Sequence, residues 1–238
     1  MPQITVITPV LNGERYIEDC VNCVKNQTYK DVDHIIMVSK DTTDRTWDIL
    51  KKVGHDKLQT VEDDGYGHTR MHRAVHLTNS KYVTFLMADD LIKPDFCKKM
   101  LISSITNNAD IVYSNYKMVF YNKNYEEIGS HQGDPLPYVN IDKALDCMHF
   151  GVFYLIARDA WNKIGGLSYP DERNDVAWDY YLMLMAAYLR CSFHYNPEVL
   201  ATFRVHCESD TGKDNKIKRE EEVGKATRKY FLDRIKGL

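Results

Sequence analysis

Two neighbouring carboxylates, Asp89 and Asp90, end the apolar run Tyr82–Met87. A β-rich run of this kind reads as a buried strand. Adjacent acids at its end resist ionisation together unless something positive meets them, and a divalent cation on phosphate oxygens suits that pattern. The plainer alternative is a turn cap before Leu91 and Pro94. Glu62, Asp63 and Asp64 form a second acidic group, with His68, Arg70, His72 and Arg73 directly behind them. Acids followed by bases suit a cleft that grips a charged ligand, against the alternative of a self-compensating surface turn. Asp179 follows Trp178 and opens an apolar run that ends at Tyr188. It is either a helix cap or a partly desolvated acid with a raised pKa, fit to act as a general base. Arg204 and His206 leave a late apolar stretch and can reach phosphate or be ordinary surface residues.

These groups need elements to hold them. Hydrophobic patterning predicts strands over residues 4–8, 34–38, 58–61 and 81–87, with helices over 14–26, 46–53 and 69–77 between them. Strand and helix alternating through short polar loops argue for parallel strands with crossover helices. In such a sheet ligands sit at the carboxyl ends of the strands, where the loops after Thr8, Val38, Val61 and Met87 all emerge. Further on, a helix is expected over 96–105, strands over 109–113 and 116–121, and a polar excursion over 122–139. Residues 141–147 read as a short helix and 152–156 as a strand. A helix from Arg158 stops at Gly165–Gly166, and a charged loop, 169–175, leads to the helix 178–188. Late strands over 192–195 and 199–203 precede a charged, amphipathic tail, 209–238. The tail suits packing onto the domain first and a partner or membrane-surface contact second.

The bulk properties exclude several classes. The chain has 238 residues, 44% hydrophobic and 27% charged, with a net charge of −3. That fits one α/β domain with a real core and no bulk attraction to nucleic acid. No apolar run is long enough to span a membrane, and the start reads as a strand rather than a signal peptide, so a cytoplasmic setting is expected. Of the six cysteines, Cys20 and Cys23 stand in helical periodicity with Ile17, Val21 and Val24, which reads as buried helix thiols rather than zinc or redox chemistry. Neither a phosphate-binding glycine loop nor a Gly-x-Ser-x-Gly elbow is present.

The ordered motifs resemble the GT-A type, family 2 glycosyltransferases over about Ile4–Val205. Thr8–Gly13 has the form T-P-x-x-N-x, and Gln27, Thr28 and Tyr29 match Q-x-Y. The loop Val38–Thr46 matches the family's V-D-x-G-S-T-D-x-T at Asp44 and Thr46, with Ser39 where the nucleotide-reading aspartate usually stands. Glu62 and Asp64 match E-x-D, while His72 and Arg73 replace the usual asparagine and lysine. Phe85, Leu86, Asp89 and Asp90 match F-L-x-x-D-D. Gly165–Gly166, Asp179–Tyr180 and Arg204-x-His206 match the motifs of the second half.

The resemblance implies a Rossmann-like nucleotide-diphospho-sugar transferase fold with a mostly parallel central sheet flanked by helices. A nucleotide and metal half would cover about 1–113 and an acceptor half about 114–208. It implies an inverting transfer from a nucleotide-diphosphate sugar to an acceptor hydroxyl on a glycan, a lipid-linked sugar or a small molecule. Asp90 would be the ligand of Mn²⁺ or Mg²⁺, with Asp89 behind it, and Asp179 the base. Thr8, Pro9, Asn12, Ser39, Asp41 and Asp64 would frame the nucleoside, and Arg70, Arg73, Arg204 and His206 would assist at the diphosphate. Residues 122–170 would select the acceptor, with Tyr138, Phe150, Tyr169 and Trp178 as stacking aromatics. Two other readings stay open: a sugar-phosphate nucleotidyltransferase, disfavoured by the lack of a glycine-rich basic loop after the first strand, and a non-catalytic sugar- or nucleotide-binding module.

Overall fold

The computed structural model describes residues 3–65, 67–146, 153–167, 176–209 and 216–236. The chain begins with four strands that alternate with three helices: β1 (Ile4–Val10), α1 (Ile17–Lys25), β2 (Val32–Ser39), α2 (Thr46–Val53), β3 (Leu58–Asp63), α3 (Gly67–His76) and β4 (Tyr82–Phe85). These strands pair in the order β3-β2-β1-β4, all parallel. Their carboxyl ends therefore lie on one edge, and every loop that leaves them opens there.

The rest of the chain extends this sheet. It supplies β5 (Leu91–Ile92), α4 (Phe96–Asn107), β6 (Ile111–Tyr121), β7 (Glu127–Gln132), α5 (Ile141–Asp146), β8 (Tyr154–Ala157), α6 (Arg158–Ile164), α7 (Trp178–Tyr188), β9 (Phe193–Val205) and α8 (Lys216–Ile235). Strand β8 runs antiparallel between β4 and β6, β9 is parallel to β6, and β5 closes the far edge antiparallel to β9. The parallel character expected of the sheet is thus concentrated in its amino-terminal half, and the whole is mixed α/β. One sheet carries both halves of the chain.

Two expected pairs of strands are single strands. Residues 109–113 and 116–121 join as β6, and 192–195 and 199–203 join as β9. Asn115 and Pro197 interrupt the apolar pattern, but the β6–β9 register shifts at Ser114/Asn115 and Asn115/Tyr116, a bulge that absorbs them. Asn196 Oδ1 accepts the Glu198 N–H (3.0 Å) across the proline. The polar excursion over 122–139 contains β7, whose six residues are all exposed in a hairpin off β6. The expected loop over 169–175 and the start of the expected strand at Val152 lie outside the described residues.

A core lies on each face. On one, Ile4, Val6, Ile36 and Val38 meet Ile17, Cys20, Val21 and Val24 of α1 and Phe96, Cys97 and Met100 of α4. On the other, Ile7, Ile35, Met37 and Phe85 meet Met71, Ala74 and Val75 of α3, Trp161 of α6 and the buried length of α7. Helix α7 is apolar on nearly all sides because α5, α6 and α8 surround it. Helix α8 packs as the first reading of the tail expected: Phe231 is fully buried against this core. Cys20 is a buried helix thiol, and burial raises both its pKa and that of Cys23, the latter to about 11. Among the described residues no helix is long and apolar enough to cross a membrane.

Two polar side chains pin the layers. Gln27 is buried, donates to the Cys23 and Lys93 carbonyls, and accepts the Cys97 N–H at 3.0 Å. The Q-x-Y match is thus a clamp between the end of α1 and the start of α4. Arg158 donates to the carbonyls of Val75, Thr78 and Ser80 at 2.9–3.1 Å, which satisfies the end of α3 and the approach to β4. Replacing Arg158 with Met leaves those carbonyls unpaired. The expected result in urea unfolding is a loss of about 2–3 kcal/mol with an unchanged m-value.

Candidate active site

The loops after β1 and β2 are laced together. Asn12, in the left-handed region at φ 52°, accepts the Thr43 N–H at 2.8 Å. The Gly13 N–H donates to Thr46 Oγ1 and the Glu14 N–H to Asp44 Oδ2, both at 2.8 Å. A Cβ on Gly13 would lie 2.5 Å from Val10 Cγ2, so the turn needs glycine. Asp44 Oδ1 also takes the Thr46 hydroxyl and N–H. Burial pushes the Asp44 carboxyl up, but these hydrogen bonds outweigh it and hold the carboxyl below its usual range. The Asp44 and Thr46 matches therefore have a structural reading: they set the loop that follows β2.

The expected nucleoside frame is uneven. Thr8 is fully buried and shares a 2.9 Å hydrogen bond with His34 Nε2 inside the sheet. Its side chain points into the core because it shares a face with Val6, which leaves its backbone as the part that could join the expected frame. His34 is buried with it, and burial with the nearby His55 pulls its pKa down to about 3. Pro9 is half-buried and Asn12 is exposed. Ser39 is buried at the end of β2, with its hydroxyl 3.4 Å from the Asp41 N–H, while Asp41 is exposed. Asp41 is therefore the acid that this loop presents to solvent where Ser39 does not.

Asp63 and Asp64 at the end of β3 share Arg73, whose Nη1 lies 3.0 Å from Asp63 Oδ1 and 2.9 Å from Asp64 Oδ1. The hydrogen bond from Arg73 lowers the Asp64 pKa, and those acids raise that of Arg73. Arg73 is thus engaged in ordering the acid loop. Arg70 is different. It is buried, its Nη1 lies 3.4 Å from the Val10 carbonyl, and its Nε is buried with no hydrogen-bond partner. Burial lowers its pKa, with Asp63 and Asp41 working against that.

The loop after β4 holds the densest polar cluster. The Arg204 backbone N–H donates to Asp90 Oδ1 at 2.9 Å. The Arg204 guanidinium donates through Nε to the Asp89 carbonyl and through Nη1 to Asp19 Oδ2 (3.2 Å). His206 Nε2 lies 3.1 Å from Asp89 Oδ2. The expectation placed Asp90 forward with Asp89 behind it, but the exposures are reversed: Asp90 is 1% exposed, whereas the Asp89 side chain is 29% exposed. Asp90 turns inward because β9 supplies the backbone N–H that receives it. Its Oδ2 is buried without a partner, and burial and then the charge of Asp89 push its pKa well above the carboxylate range. A buried unpaired carboxylate oxygen beside a second carboxylate is a fit for a divalent cation. Among the described residues no group of three or more His, Cys, Asp or Glu makes a protein-only metal shell.

Several residues here escaped the sequence reading. Tyr16, inside the helix expected over 14–26, precedes α1. Its ring lies 4.7 Å from the His206 ring and 4.7 Å from the Arg204 guanidinium carbon. Burial pushes its hydroxyl up to about 12, although Arg204 and Arg15 pull the other way. Tyr125, from the hairpin tip between β6 and β7, lies 6.0 Å from the His206 ring and beneath the Arg15 guanidinium. No local pattern marks Tyr125, because its neighbours come from the two ends of the chain.

Asp179 stands in the first turn of α7, half-buried, with Oδ1 accepting the Tyr180 N–H at 2.8 Å. Burial raises its pKa, with that N–H and its own opposing the shift. Its neighbour Trp178 packs edge-on against Phe85, ring centres 6.0 Å apart, and Phe85 ends the strand that leads to Asp89 and Asp90. From behind, Thr227 of α8 accepts the Ala177 N–H at 2.9 Å. Trp178 is thus engaged with Phe85 and Tyr154, and Tyr138 is exposed, while Phe150 and Tyr169 lie outside the described residues.

The comparison with known proteins decides the family. The family model described as Glycosyl transferase family 2 matches residues 5–162. The chain belongs to glycosyl transferase family 2. The glycosyltransferase GlyA of Streptococcus pneumoniae is 30% identical over 117 residues, which are 48% of this chain and 17% of that protein. An uncharacterized glycosyltransferase of Rickettsia typhi, RT0329, is 25% identical over 215 residues, covering 86% of this chain and 64% of that one. The chain thus spans less than two thirds of the length of these relatives. The structure of S. aureus TarS 1-349 in complex with UDP-GlcNAc superposes with a TM-score of 0.70 at 15% identity, over 94% of this chain and 65% of that one. The mannosyltransferase PcManGT of Pyrobaculum calidifontis, in complex with GDP-Man and Mn²⁺, superposes with a TM-score of 0.67 at 18% identity, over 95% and 64%. The likeness to these structures establishes a GT-A glycosyltransferase fold.

The raised pKa of Asp90 has a thermodynamic signature in the family 2 chain. A carboxyl more basic when folded than when unfolded destabilises the protein once ionised, and stability is regained as pH falls through the folded pKa. Comparing thermal unfolding without divalent cations, wild type minus Asp90→Asn should show stability rising on acidification from pH 8. Added Mn²⁺ should stabilise the wild type at pH 7.5 and leave Asp90→Asn nearly unmoved.

Proposed function

We propose that this protein transfers a sugar from a nucleotide-diphosphate donor to an acceptor hydroxyl with inversion at the anomeric carbon, in the synthesis of a glycan or polysaccharide. The observation that carries this reading is the placement of Asp89 and Asp90 at the carboxyl end of β4. There Asp90 Oδ2 is buried without a partner, and Trp178, the residue before Asp179, packs on Phe85 at the end of the same strand. The nearby structures with UDP-GlcNAc and with GDP-Man and Mn²⁺ support the donor class.

Asp90 and Asp89 would hold Mn²⁺ or Mg²⁺. When bound, the cation supplies positive charge against the diphosphate leaving group. The protein's own residues do the rest. Exposed Asp41 and Asn12, with Pro9, Ser39 and Asp64 around them, frame the nucleoside. The guanidinium of Arg70, with an Nε that lacks a hydrogen-bond partner, would assist at the diphosphate. Arg204 and His206 would act by setting the acid pair, since the Arg204 N–H, Nε and Nη1 meet Asp90, Asp89 and Asp19 and His206 Nε2 meets Asp89 Oδ2, with Arg204 Nη2 left unpartnered. On the acceptor side Asp179 takes the hydroxyl proton while that oxygen bonds to the anomeric carbon. The bond from that carbon to the phosphate oxygen breaks, and its electron pair leaves with the nucleoside diphosphate. A raised pKa suits the base, because a more basic carboxylate accepts the proton more readily near neutral pH.

Screening UDP-, GDP- and TDP-sugars with Mn²⁺ by calorimetry identifies the donor. With that donor and a working acceptor, Asp179→Asn should lower kcat by about 10²–10⁴-fold while donor affinity stays within twofold. An unimpaired variant would remove Asp179 from the role of base. Chelation with EDTA should abolish transfer, and Mn²⁺ or Mg²⁺ should restore it. Donor binding with neither transfer nor donor hydrolysis, under any of these conditions, would favour a binding module instead.

A further inference from the structure

A contact joins the donor-side helix α3 to the turn that ends α6. The Leu167 N–H donates to His72 Nδ1 at 3.1 Å. The turn before it has Gly165 and Gly166 at positive φ. A Cβ on Gly166 would lie 2.6 Å from Trp161 and 2.8 Å from His72 Nδ1, so the backbone comes against both rings as closely as a chain can. The His72 ring also lies 6.0 Å from Trp161, Trp161 lies 5.5 Å from Phe85, and Phe85 lies 6.0 Å from Trp178. One continuous set of rings thus runs from α3 to the residue beside Asp179, passing under the strand end that leads to Asp89.

The hydrogen bonds specify the state of the ring. Because Nδ1 accepts the Leu167 N–H, a neutral His72 carries its proton on Nε2. That Nε2 lies 3.3 Å from His76 Nε2, one turn along α3, and donates to it. Two histidines so spaced otherwise suit a shared metal ion, but His72 has no free lone pair in this arrangement. Burial, with His76 in second place, lowers the His72 pKa and so favours the neutral form.

We propose that His72 is a positioning residue for the transfer reaction: its Nδ1 anchors the Leu167 amide and its ring braces Trp161, so that α3 sets the turn and ring cluster on which Asp179 is carried. The proposal rests on the reading of Asp179 as the base. It separates two isosteres. Asn at 72 keeps an acceptor where Nδ1 stands, whereas Gln places its amide where Nε2 stands and leaves the Leu167 N–H unpaired.

Wild type, His72→Asn, His72→Gln and His76→Ala are to be compared by three measurements. These are amide exchange at Leu167, donor affinity by calorimetry with the nucleotide sugar that supports turnover, and steady-state transfer. Nitrogen NMR of the wild-type ring should show Nδ1 unprotonated and Nε2 protonated. His72→Gln should lose Leu167 protection and about tenfold in kcat, with donor affinity within twofold. His72→Asn should restore both, and His76→Ala should leave both near wild type. Equal rates for the Asn and Gln variants, a defect confined to donor affinity, or a proton on Nδ1 would overturn the proposal. If the wild type transfers no sugar, the transferase reading fails by itself. The Leu167 exchange difference then still tests the anchor, and its absence overturns that too.

Discussion

The buried guanidinium and backbone of Arg204 hold this site together. One residue near the end of the last strand meets Asp90 through its N–H, the Asp89 carbonyl through Nε and Asp19 of the first helix through Nη1, and it stacks on Tyr16. A buried cation of this kind is costly without partners, and its charge and backbone N–H in turn favour the ionised form of buried Asp90. Each needs the other, so the loop after β4, the start of α1 and the end of β9 have one low-energy arrangement. Not every group is satisfied: Asp90 Oδ2, Arg204 Nη2 and His206 Nδ1 are buried without a hydrogen-bond partner.

A division of labour follows among the charged groups that cluster at the strand ends. Arg73 and Asp63, Asp44 and Thr46, and Asn12 and the Thr43 amide are satisfied by one another. Their effect is to stiffen the loops after β1, β2 and β3. Asp41 and Asp89, by contrast, keep exposed surface, and Arg70 Nε and Asp90 Oδ2 keep unused hydrogen-bonding capacity. Preorganised groups of the second kind can meet a charged ligand without first breaking an internal bond. The same contrast distinguishes Asp179, whose carboxyl, among the described residues, is held by backbone N–H groups, from an acid committed to a salt bridge.

Elements whose signals are local were legible in both halves. The apolar runs of β1 to β4 are bounded by polar loops, and α2, α6 and α7 have the bounds that periodicity and the Gly165–Gly166 stop predict. Where the pattern failed, distant pairing had overridden it. Asn115 and Pro197 look like strand breaks in sequence, yet the β6–β9 bulge accommodates both. Tyr16 has helical spacing with Cys20, yet Gly13 accepts the Tyr16 and Ile17 N–H groups and the helix begins only at Ile17.

What the sequence by itself determined is the chemistry available: paired acids after an apolar strand, a basic helix after an acid loop, and a lone acid beside a tryptophan. Residue type and spacing suffice for that, since an ionisable group beside a strand end has few uses. Which carboxylate faces solvent was decided only by the tertiary structure. Asp89 and Asp90 are adjacent in the turn after β4, where the Asp90 N–H donates to the Met87 carbonyl at 3.0 Å. Only the arrival of β9, 114 residues later, determines which of them receives a backbone N–H and turns inward. Thr8 was decided in the same way, by a histidine on the neighbouring strand that has no sequence relation to it.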